Sequence, residues 1–360
     1  GSEVKVMLPE KSYEAKGLMS GFALPRVQFD YMMFKRACEI VRENGGSVIQ
    51  GFSVNEVMSE EYEGEHRITG VSGKIGSKRS DGPELSFTAS VTVGAAGYNC
   101  PVSRKIVELH DEPHKDNDHF CGGYREYWEN VKGLEGQVGP IEIHFIDEVL
   151  PGYFWLFPVR DGVVNVGIGM LISEQRKQKG MKKSLKQIQK WVIESHPRFK
   201  ERFGEATLVA GSEKGWQLPF GSPRKDAPSF QPRRSAMAGA MAVGDAASLV
   251  DPFSGEGIGN ALLTGKLTSS HFDKEIHSDG FPLSAATAYM EDMWNELGGE
   301  LSNSTKLQRM MKMKRLTNWF VKKAAKKPEI GEMMSEMIAS KETQKALWSP
   351  WFLFKTLVLP

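Results

Sequence analysis

The sequence predicts a mixed α/β (α+β) protein, and three patterns within its 360 residues carry that prediction. A small apolar run over 236–243 ends in a Gly-Asp pair and is followed by a glycine-rich helix start. The run 151–158 alternates aromatic and other residues, which is typical of a strand with one aromatic face. The stretch 185–192 repeats apolar residues at helical spacing, until Pro197 ends the helix.

Composition supports a globular protein and excludes some partners. Hydrophobic residues make up 40% and charged residues 25% of the chain, which is ordinary for a packed domain. The net charge of +1 gives no basis for nucleic-acid binding. Cys38, Cys100 and Cys121 have no Cys-x-x-Cys spacing, so we expect reduced thiols and a cytoplasmic protein.

The first part of the chain predicts one helix and one strand near a ligand. Arg26 and Asp30 precede an amphipathic stretch over 31–43. The predicted buried face of this stretch comprises Met33, Ala37, Ile40 and Val41. The apolar run 91–94 then predicts a strand that ends in a glycine-containing turn.

The segment 244–261 has the chemistry of a cofactor site. Asp245 follows a predicted buried strand, and open α/β sheets bind ligands at the carboxyl ends of their strands. Free backbone amides at the following helix start attract negative charge, and glycines permit close approach. These properties suit a flavin, with Asp245 accepting a hydrogen bond from a ribityl hydroxyl. The predicted flavin residues here are Gly244, Asp245, Pro252, Gly255, Gly257 and Ile258.

Alternation within 153–157 places three aromatic side chains on one face of a strand. Tyr153, Trp155 and Phe157 would form a wall of flat apolar rings, which we call the aromatic wall. Such a surface suits an isoprenoid chain. The same pattern is also typical of a sheet that packs its own core.

These motifs together resemble those of one family. The segment 151–158 is similar to the P-x-Y-x-W-x-F-P pattern of geranylgeranyl reductases, and Asn-Val-Gly-Ile-Gly follows at 165–169. The segment 244–261 resembles the second flavin motif of the FAD-dependent, p-hydroxybenzoate hydroxylase-like superfamily, and 26–30 resembles its R-x-x-F-D segment. The resemblance implies a Rossmann-like FAD-binding domain, an antiparallel-sheet substrate domain and a helical C-terminal region.

The resemblance also implies a reaction and its participants. FAD, reduced by an external donor such as NADPH or ferredoxin, would deliver hydride to a C=C bond of a polyprenyl chain. That chain could belong to a lipid, a quinone or a chlorophyll precursor. Arg26 would lie beside the cofactor, and the aromatic wall would contact the chain. No catalytic proton donor is identified, since an unperturbed phenol such as that of Tyr153 is a poor acid at neutral pH.

The sequence departs from the family at two places. Ala96 stands where the family has aspartate in its G-A-D-G turn, and Cys100 and Ser103 stand where serine and arginine are common. The family's initial G-x-G-x-x-G unit has no counterpart here, so we expect the first βαβ unit to be missing and the fragment to be seen without FAD.

The expected organisation is discontinuous. Residues 1–104 would form a partial FAD-binding domain, 105–235 the substrate-binding antiparallel sheet, 236–270 a return to the FAD-binding domain, and 271–360 a helical region.

The C-terminal region contains two apolar segments that could meet a membrane surface. Eight basic and no acidic residues lie within 309–327, with apolar residues at near-helical spacing, and 348–359 is apolar but too short to span a bilayer. A helix packed on the domain with solvated lysines explains 309–327 equally well.

Three other interpretations stay open or lose support. A flavin monooxygenase or halogenase on the same scaffold, and a flavin-free lipid-binding homologue, both fit the motifs. His110, His114 and His119 have no spacing for a compact metal site, so we predict no metal and a solvated loop.

Overall fold

A computed structural model describes residues 24–62, 64–76, 82–135, 140–177, 184–224 and 232–326, together with residues 15 and 17. The described strands are β1 (Phe52–Tyr62), β2 (Glu65–Ile75), β3 (Glu84–Thr88), β4 (Thr92–Gly94), β5 (Phe120–Glu129), β6 (Glu142–His144), β7 (Tyr153–Arg160), β8 (Val163–Leu171), β9 (Thr207–Leu208), β10 (Lys214–Pro219), β11 (Ala236–Met237) and β12 (Ala240–Ala242). The described helices are α1 (Arg26–Glu43), α2 (Pro101–Glu108), α3 (Ile172–Lys177), α4 (Leu185–Ser195), α5 (Ile258–His271), α6 (Leu283–Met311) and α7 (Lys314–Ala324).

The largest sheet is antiparallel and is covered by a helix on one face. Its strands follow the order β10-β5-β8-β7-β6, and β9 pairs with β5. Helix α4 begins at a capping box, in which Ser184 accepts from the Gln187 backbone and the Gln187 side chain accepts from the Ser184 backbone. Ile188 and Val192 of this helix are buried against the sheet. The helical periodicity read from the sequence is therefore confirmed.

A second core joins distant parts of the chain. Strand β12 pairs in parallel with β4 and antiparallel with β11, and α2 and α6 pack on these short strands. Side chains from as far apart as Val57 and Leu301 share this core. The predicted single strand over 236–243 is wrong, because Gly239, at φ +77°, reverses the chain and makes a hairpin instead.

The predicted buried face of α1 is also wrong. Met33, Ile40 and Val41 are exposed by 46%, 44% and 38%, and Ala37 is exposed as well. The buried residue of this helix is Cys38. Amphipathic spacing correctly indicated a helix, but the described elements leave its apolar face uncovered.

The predicted fold class is confirmed, with antiparallel sheets, one parallel pairing and C-terminal helices. Strands β1, β2 and β3 form a further antiparallel sheet. The separate cores favour the predicted discontinuous organisation, whose boundaries stay a prediction. None of the described helices combines the length and apolar character needed to cross a membrane. The segment 348–359 lies outside the described residues.

Candidate flavin and prenyl-chain site

A 3₁₀ turn over Gly244–Ala247 holds Asp245 directly beyond β12. Gly244 adopts φ +55°, and a Cβ at this position would lie 2.7 Å from the Ala261 Cβ. Its backbone N–H also donates to Thr264 Oγ1 at 3.0 Å. The glycine therefore allows α5 to pack against the turn, and the turn fixes the position of Asp245.

The Asp245 carboxylate is half-buried and accepts no hydrogen bond from any residue in the described part of the chain. Loss of hydration raises its pKa, and the positive charge of Arg26 partly opposes this rise. Its Oδ1 atom lies 3.1 Å from where a Cβ on Gly257 would stand. A half-buried carboxylate with unused acceptor capacity fits a ligand that donates hydrogen bonds.

Arg26 lies at the first position of α1 and pairs with Asp30 at 2.7 Å. Its side chain is 61% exposed. The structure thus places Arg26 within electrostatic reach of Asp245, but as a solvated group whose contribution is screened.

Residues 251–257, which we call the helix-start loop, are fixed by a buried carboxylate. Asp251 accepts from the Phe253 backbone at 3.0 Å and from the Ser254 backbone and hydroxyl at 2.7 and 2.8 Å. Gln308 of α6 donates to the Pro252 carbonyl at 2.7 Å. The loop is consequently held both from within and from α6.

Helix α5 begins inside the glycine-rich segment that the sequence predicted to open a helix, with Gly257 as the N-cap and Ile258 as the first residue. The Gly255 amide, expected to be free, instead donates to the Asp251 carbonyl at 3.0 Å. Glu256 accepts from the Gly259 N–H at 2.8 Å. In the described part of the chain, the N–H groups of Gly257 and Ile258 have no acceptor. Unbonded amides at the start of a 14-residue helix favour an anionic group.

The aromatic wall stands on the face of the six-stranded sheet opposite α4. Trp155 and Phe157 stack with centroids 6.0 Å apart, and Tyr153 lies 5.8 Å from Trp155. The intervening residues Phe154 and Leu156 are fully buried on the α4 side. These residues, rather than the wall, build the core under α4, so the alternation separates a core face from the face that carries the wall.

Two residues of β8 set the orientation of Trp155. Asn165 accepts a hydrogen bond from the indole Nε1 at 3.1 Å. A Cβ on Gly167 would lie 2.1 Å from the indole ring, so the ring rests on bare backbone. The Asn-x-Gly pattern of β8 therefore supports the wall.

The wall and the helix-start loop meet at Tyr153. Its hydroxyl donates to the Ser254 backbone carbonyl and lies 3.2 Å from where a Cβ on Gly255 would stand. Burial raises the pKa of Tyr153, and the same cause raises the pKa of Cys121 to about 12. Both groups are thus neutral and are weaker acids than their free counterparts.

A buried arginine lies where the sequence departs from the family. Arg233 donates to Ser103 Oγ and to the Ala246 carbonyl, each at 2.6 Å, and to the His114 carbonyl at 3.1 Å. Burial lowers its pKa to about 10. A guanidinium from a distant segment therefore contacts Ser103, the position where the family commonly has arginine.

The predicted solvated histidine loop is wrong. His119 contacts Ser222 Oγ at 2.6 Å, and His110 contacts the Ile106 carbonyl at 2.8 Å. Burial lowers the pKa of all three imidazoles, that of His114 to about 4. The segment packs against neighbouring elements, which the acidic composition did not indicate.

Sequence reasoning missed several supporting residues. Asp251 precedes a proline, a pattern that signals a side-chain-stabilised turn, but it received no role. Asn165 was noted only as part of a motif. Gln308 and Arg233 act across long sequence separations, 56 and 130 residues, so no local signal could identify them.

A known protein family matches the segment that carries the aromatic wall. Residues 123–206 match the geranylgeranyl reductase catalytic domain. The likeness to the geranylgeranyl reductase family lies in this segment. The resemblance predicted from the motifs is therefore confirmed, and the match contains the whole of β7 and β8.

The curated relatives are named as reductases of a digeranylgeranylglycerophospholipid or of menaquinone. A digeranylgeranylglycerophospholipid reductase of Thermoplasma volcanium is 31% identical over 140 residues, 38% of this chain and 30% of that protein. A second one, of Methanopyrus kandleri, is 30% identical over 298 residues, 81% of this chain and 64% of that protein. A menaquinone reductase of Mycobacterium tuberculosis is 24% identical and covers 80% of this chain and 62% of its own length. The chain thus spans less than two thirds of each relative.

Solved structures show the fold. A geranylgeranyl bacteriochlorophyll reductase-like protein from Thermoplasma acidophilum aligns with a TM-score of 0.63 at 19% identity, over 87% of this chain and 72% of that one. A flavin-dependent brominase aligns with a TM-score of 0.56 at 16% identity, over 90% and 69%. The fold is that of FAD-dependent flavoproteins.

Proposed function

We propose that this protein is an FAD-dependent oxidoreductase that reduces C=C bonds of a polyprenyl chain. The hydrogen bond from Tyr153 to Ser254 carries the proposal, because it brings the aromatic wall onto the helix-start loop. The names of the curated relatives support the same chemistry.

The described residues fit the isoalloxazine and ribityl part of FAD. Asp245 has the free acceptor capacity that a ribityl hydroxyl needs, and the amides of Gly257 and Ile258 suit the anionic pyrimidine edge. Gly255 has no side chain to keep the ring system away from the loop, while the buried Pro252 would support the loop from beneath. Arg26 adds a weak positive charge at the same place. Bound reduced FAD would supply hydride to the alkene.

The protein's own side chains would position the alkene and exclude water. The aromatic wall offers flat apolar rings beside the loop, and Trp155 is held by Asn165 and Gly167. Across the sheet from Tyr153 lie Gly169 and then Gly123, which form a floor without side chains beside the Trp155 ring and Cys121. A prenyl chain on this floor would pass next to the Tyr153 hydroxyl.

The substrate would be a prenylated lipid, quinone or chlorophyll precursor, and an external donor such as NADPH or ferredoxin would reduce the flavin. The names of the relatives include a phospholipid and a quinone reductase. In the laboratory, dithionite can replace the donor.

Helix α7 would provide contact with a membrane surface that contains such lipids. Lys314, Arg315 and Lys322 are exposed, and the apolar Met313 beside them is 51% exposed. Sedimentation with vesicles should show binding to anionic and not to neutral lipid, and K314Q/K322Q should weaken it. A helix that only packs on the domain would bind neither vesicle.

A flavin monooxygenase or halogenase is the second candidate, since a flavin-dependent brominase shares the fold. Oxygen separates the two functions. A reductase turns over its prenyl substrate under strict anaerobiosis, whereas a monooxygenase or halogenase has no product without oxygen.

Flavin binding itself is tested by the visible spectrum of the purified protein and by titration with FAD. We expect the protein to be purified without FAD and to quench the fluorescence of added FAD until the signal saturates. D245N should weaken this binding, while D279N, on a surface loop remote from the site, should not. A colourless protein that takes up no FAD would overturn both enzyme functions and leave a lipid-binding protein.

A further inference from the structure

The strand register places two basic residues on the same face of the sheet as the aromatic wall. Trp155 pairs with Gly167, Gly167 pairs with Arg125, and Arg125 pairs with Lys214. Residues directly opposite each other in neighbouring strands point to the same side of a sheet. This row therefore begins at the wall and ends in two adjacent positive charges.

Arg125 is positioned by its neighbours but is not neutralised by them. Its guanidinium lies 4.5 Å from the Tyr127 ring centroid, and Nη1 donates to the Ser212 carbonyl. No carboxylate in the described ranges lies within ion-pair distance of Arg125 or Lys214. The half-buried guanidinium therefore has further N–H groups that can donate to a ligand on the face that carries the wall.

The neighbouring acids are occupied elsewhere. Glu126 accepts from Tyr124, Trp128 and Gln189 on the α4 side of the sheet. Glu213 lies 3.7 Å from Lys186 of α4. Neither compensates the two cations.

Like charges directly opposite in antiparallel strands destabilise a sheet, and nothing in the fold requires them here. An anionic group between Arg125 and Lys214 would remove that repulsion and accept charge-assisted hydrogen bonds. We infer that Arg125 and Lys214 hold the phosphate headgroup of a prenyl lipid and make the site selective for anionic prenyl substrates. This inference rests on the proposed function of the aromatic wall.

The geometry fits one amphiphilic substrate. Arg125 is two strands from Trp155, which is about 10 Å across the sheet. It is also four residues, about 13 Å, along β5 from Cys121. The Cys121 Sγ lies 3.5 Å from where a Cβ on Gly169, the strand partner of Tyr153, would stand. Trp216, which pairs with Gly123 and is 58% exposed, lies on the same face of β10 and contacts the Tyr98 ring edge-on, with the ring centroids 5.6 Å apart. A phosphate on the basic pair would let its chain run between Trp216 and the wall towards Tyr153.

Binding of two ligands with the same chain and different headgroups tests this inference. Isothermal titration of the full chain with geranylgeranyl diphosphate and with geranylgeraniol measures the headgroup contribution without any redox step. We expect the wild-type protein to bind the diphosphate more tightly. R125Q and K214Q should each weaken diphosphate binding about tenfold and leave binding of the alcohol unchanged.

The matched control is K190Q, since Lys190 pairs with Glu194 on the outer face of α4 and should not affect either ligand. Because Lys214 is exposed, its substitution tests the site even where R125Q disturbs the Tyr127 contact. Equal affinity of the wild-type protein for both ligands, or parallel loss of both in the variants, would overturn the inference. Selective diphosphate binding without prenyl reduction would overturn the proposed function alone.

Discussion

The Tyr153 hydroxyl donates a hydrogen bond to the Ser254 backbone carbonyl, which ties the first residue of β7 to the loop that opens α5. The two residues come from opposite ends of the candidate site, the aromatic wall and the helix-start loop. Because this loop is itself fixed by Asp251 and Gln308, the contact sets the separation between the two halves.

Removal of this hydroxyl should loosen that connection. Y153F loses one hydrogen bond, so we expect the free energy of unfolding to fall by about 1 kcal/mol and FAD binding to weaken. Urea denaturation and flavin-fluorescence titration measure the two effects. Y62F, at an exposed tyrosine of β1, is the control. Unchanged stability and FAD affinity in Y153F would show that the contact has no such role.

Gly167 should be intolerant of any side chain. A Cβ in G167A would stand 2.1 Å from the Trp155 ring, so the indole must move, at a cost of about 1–3 kcal/mol in unfolding free energy. Tryptophan fluorescence should shift as the ring leaves Asn165. G299A, at an exposed helical glycine with open space around it, should instead stabilise by up to about 1 kcal/mol. Wild-type stability in G167A would disprove this arrangement.

The Asp245 carboxylate should lower the stability of the flavin-free protein and strengthen its binding of the cofactor. Burial raises the pKa of Asp245 in the folded state, so folding favours the protonated carboxyl. The stability that this group contributes is therefore complete below its ordinary pKa and is lost as pH rises through the raised value. D245N should therefore stabilise the flavin-free protein at neutral pH and flatten this part of the pH profile, while it weakens FAD binding. Urea unfolding across the acidic range, with and without FAD, measures both. A less stable D245N protein without FAD would contradict the assignment.

Glu142 provides the opposite pH dependence at the edge of the sheet. Burial disfavours its charge, but hydrogen bonds from His144 and Arg202 outweigh this and lower its pKa to about 2. Its stabilising effect is therefore present above the ordinary value of 4.5 and is lost as pH falls towards about 2.

R202Q should remove about 2 kcal/mol of stability at neutral pH and reduce the loss on acidification. Urea unfolding across the acidic range measures this difference. K190Q, at a lysine that pairs with Glu194 on the outer face of α4, is the control. Identical acid profiles in R202Q and the wild-type protein would refute the role of the pair.

Local patterns predicted those parts of the site that lie on single segments. The helix start within the glycine-rich segment 255–258, the two faces of β7 and the position of Asp245 beyond a buried strand all follow from spacing and glycine placement. The hairpin at Gly239 was missed because a short apolar run does not reveal a reversal in its middle.

Features formed by distant segments were not predictable from the sequence. The contact of Tyr153 with Ser254 spans 101 residues, and that of Arg233 with Ser103 spans 130. The apolar stripe of α1 indicated a helix, but periodicity cannot say what covers it. The pairing of Arg125 with Lys214 depends on strand register, which only the folded sheet defines.

Mass spectrometry of a prenyl substrate after strictly anaerobic incubation tests the central claim most directly. The protein is supplied with FAD, dithionite and a geranylgeranyl lipid, and W155A is run beside it because the aromatic wall should position the alkene. We predict a mass increase of two hydrogen atoms for each reduced double bond, with a much lower rate in W155A. An unchanged lipid in the presence of bound, reduced flavin, or a product that forms only with oxygen, would contradict the account.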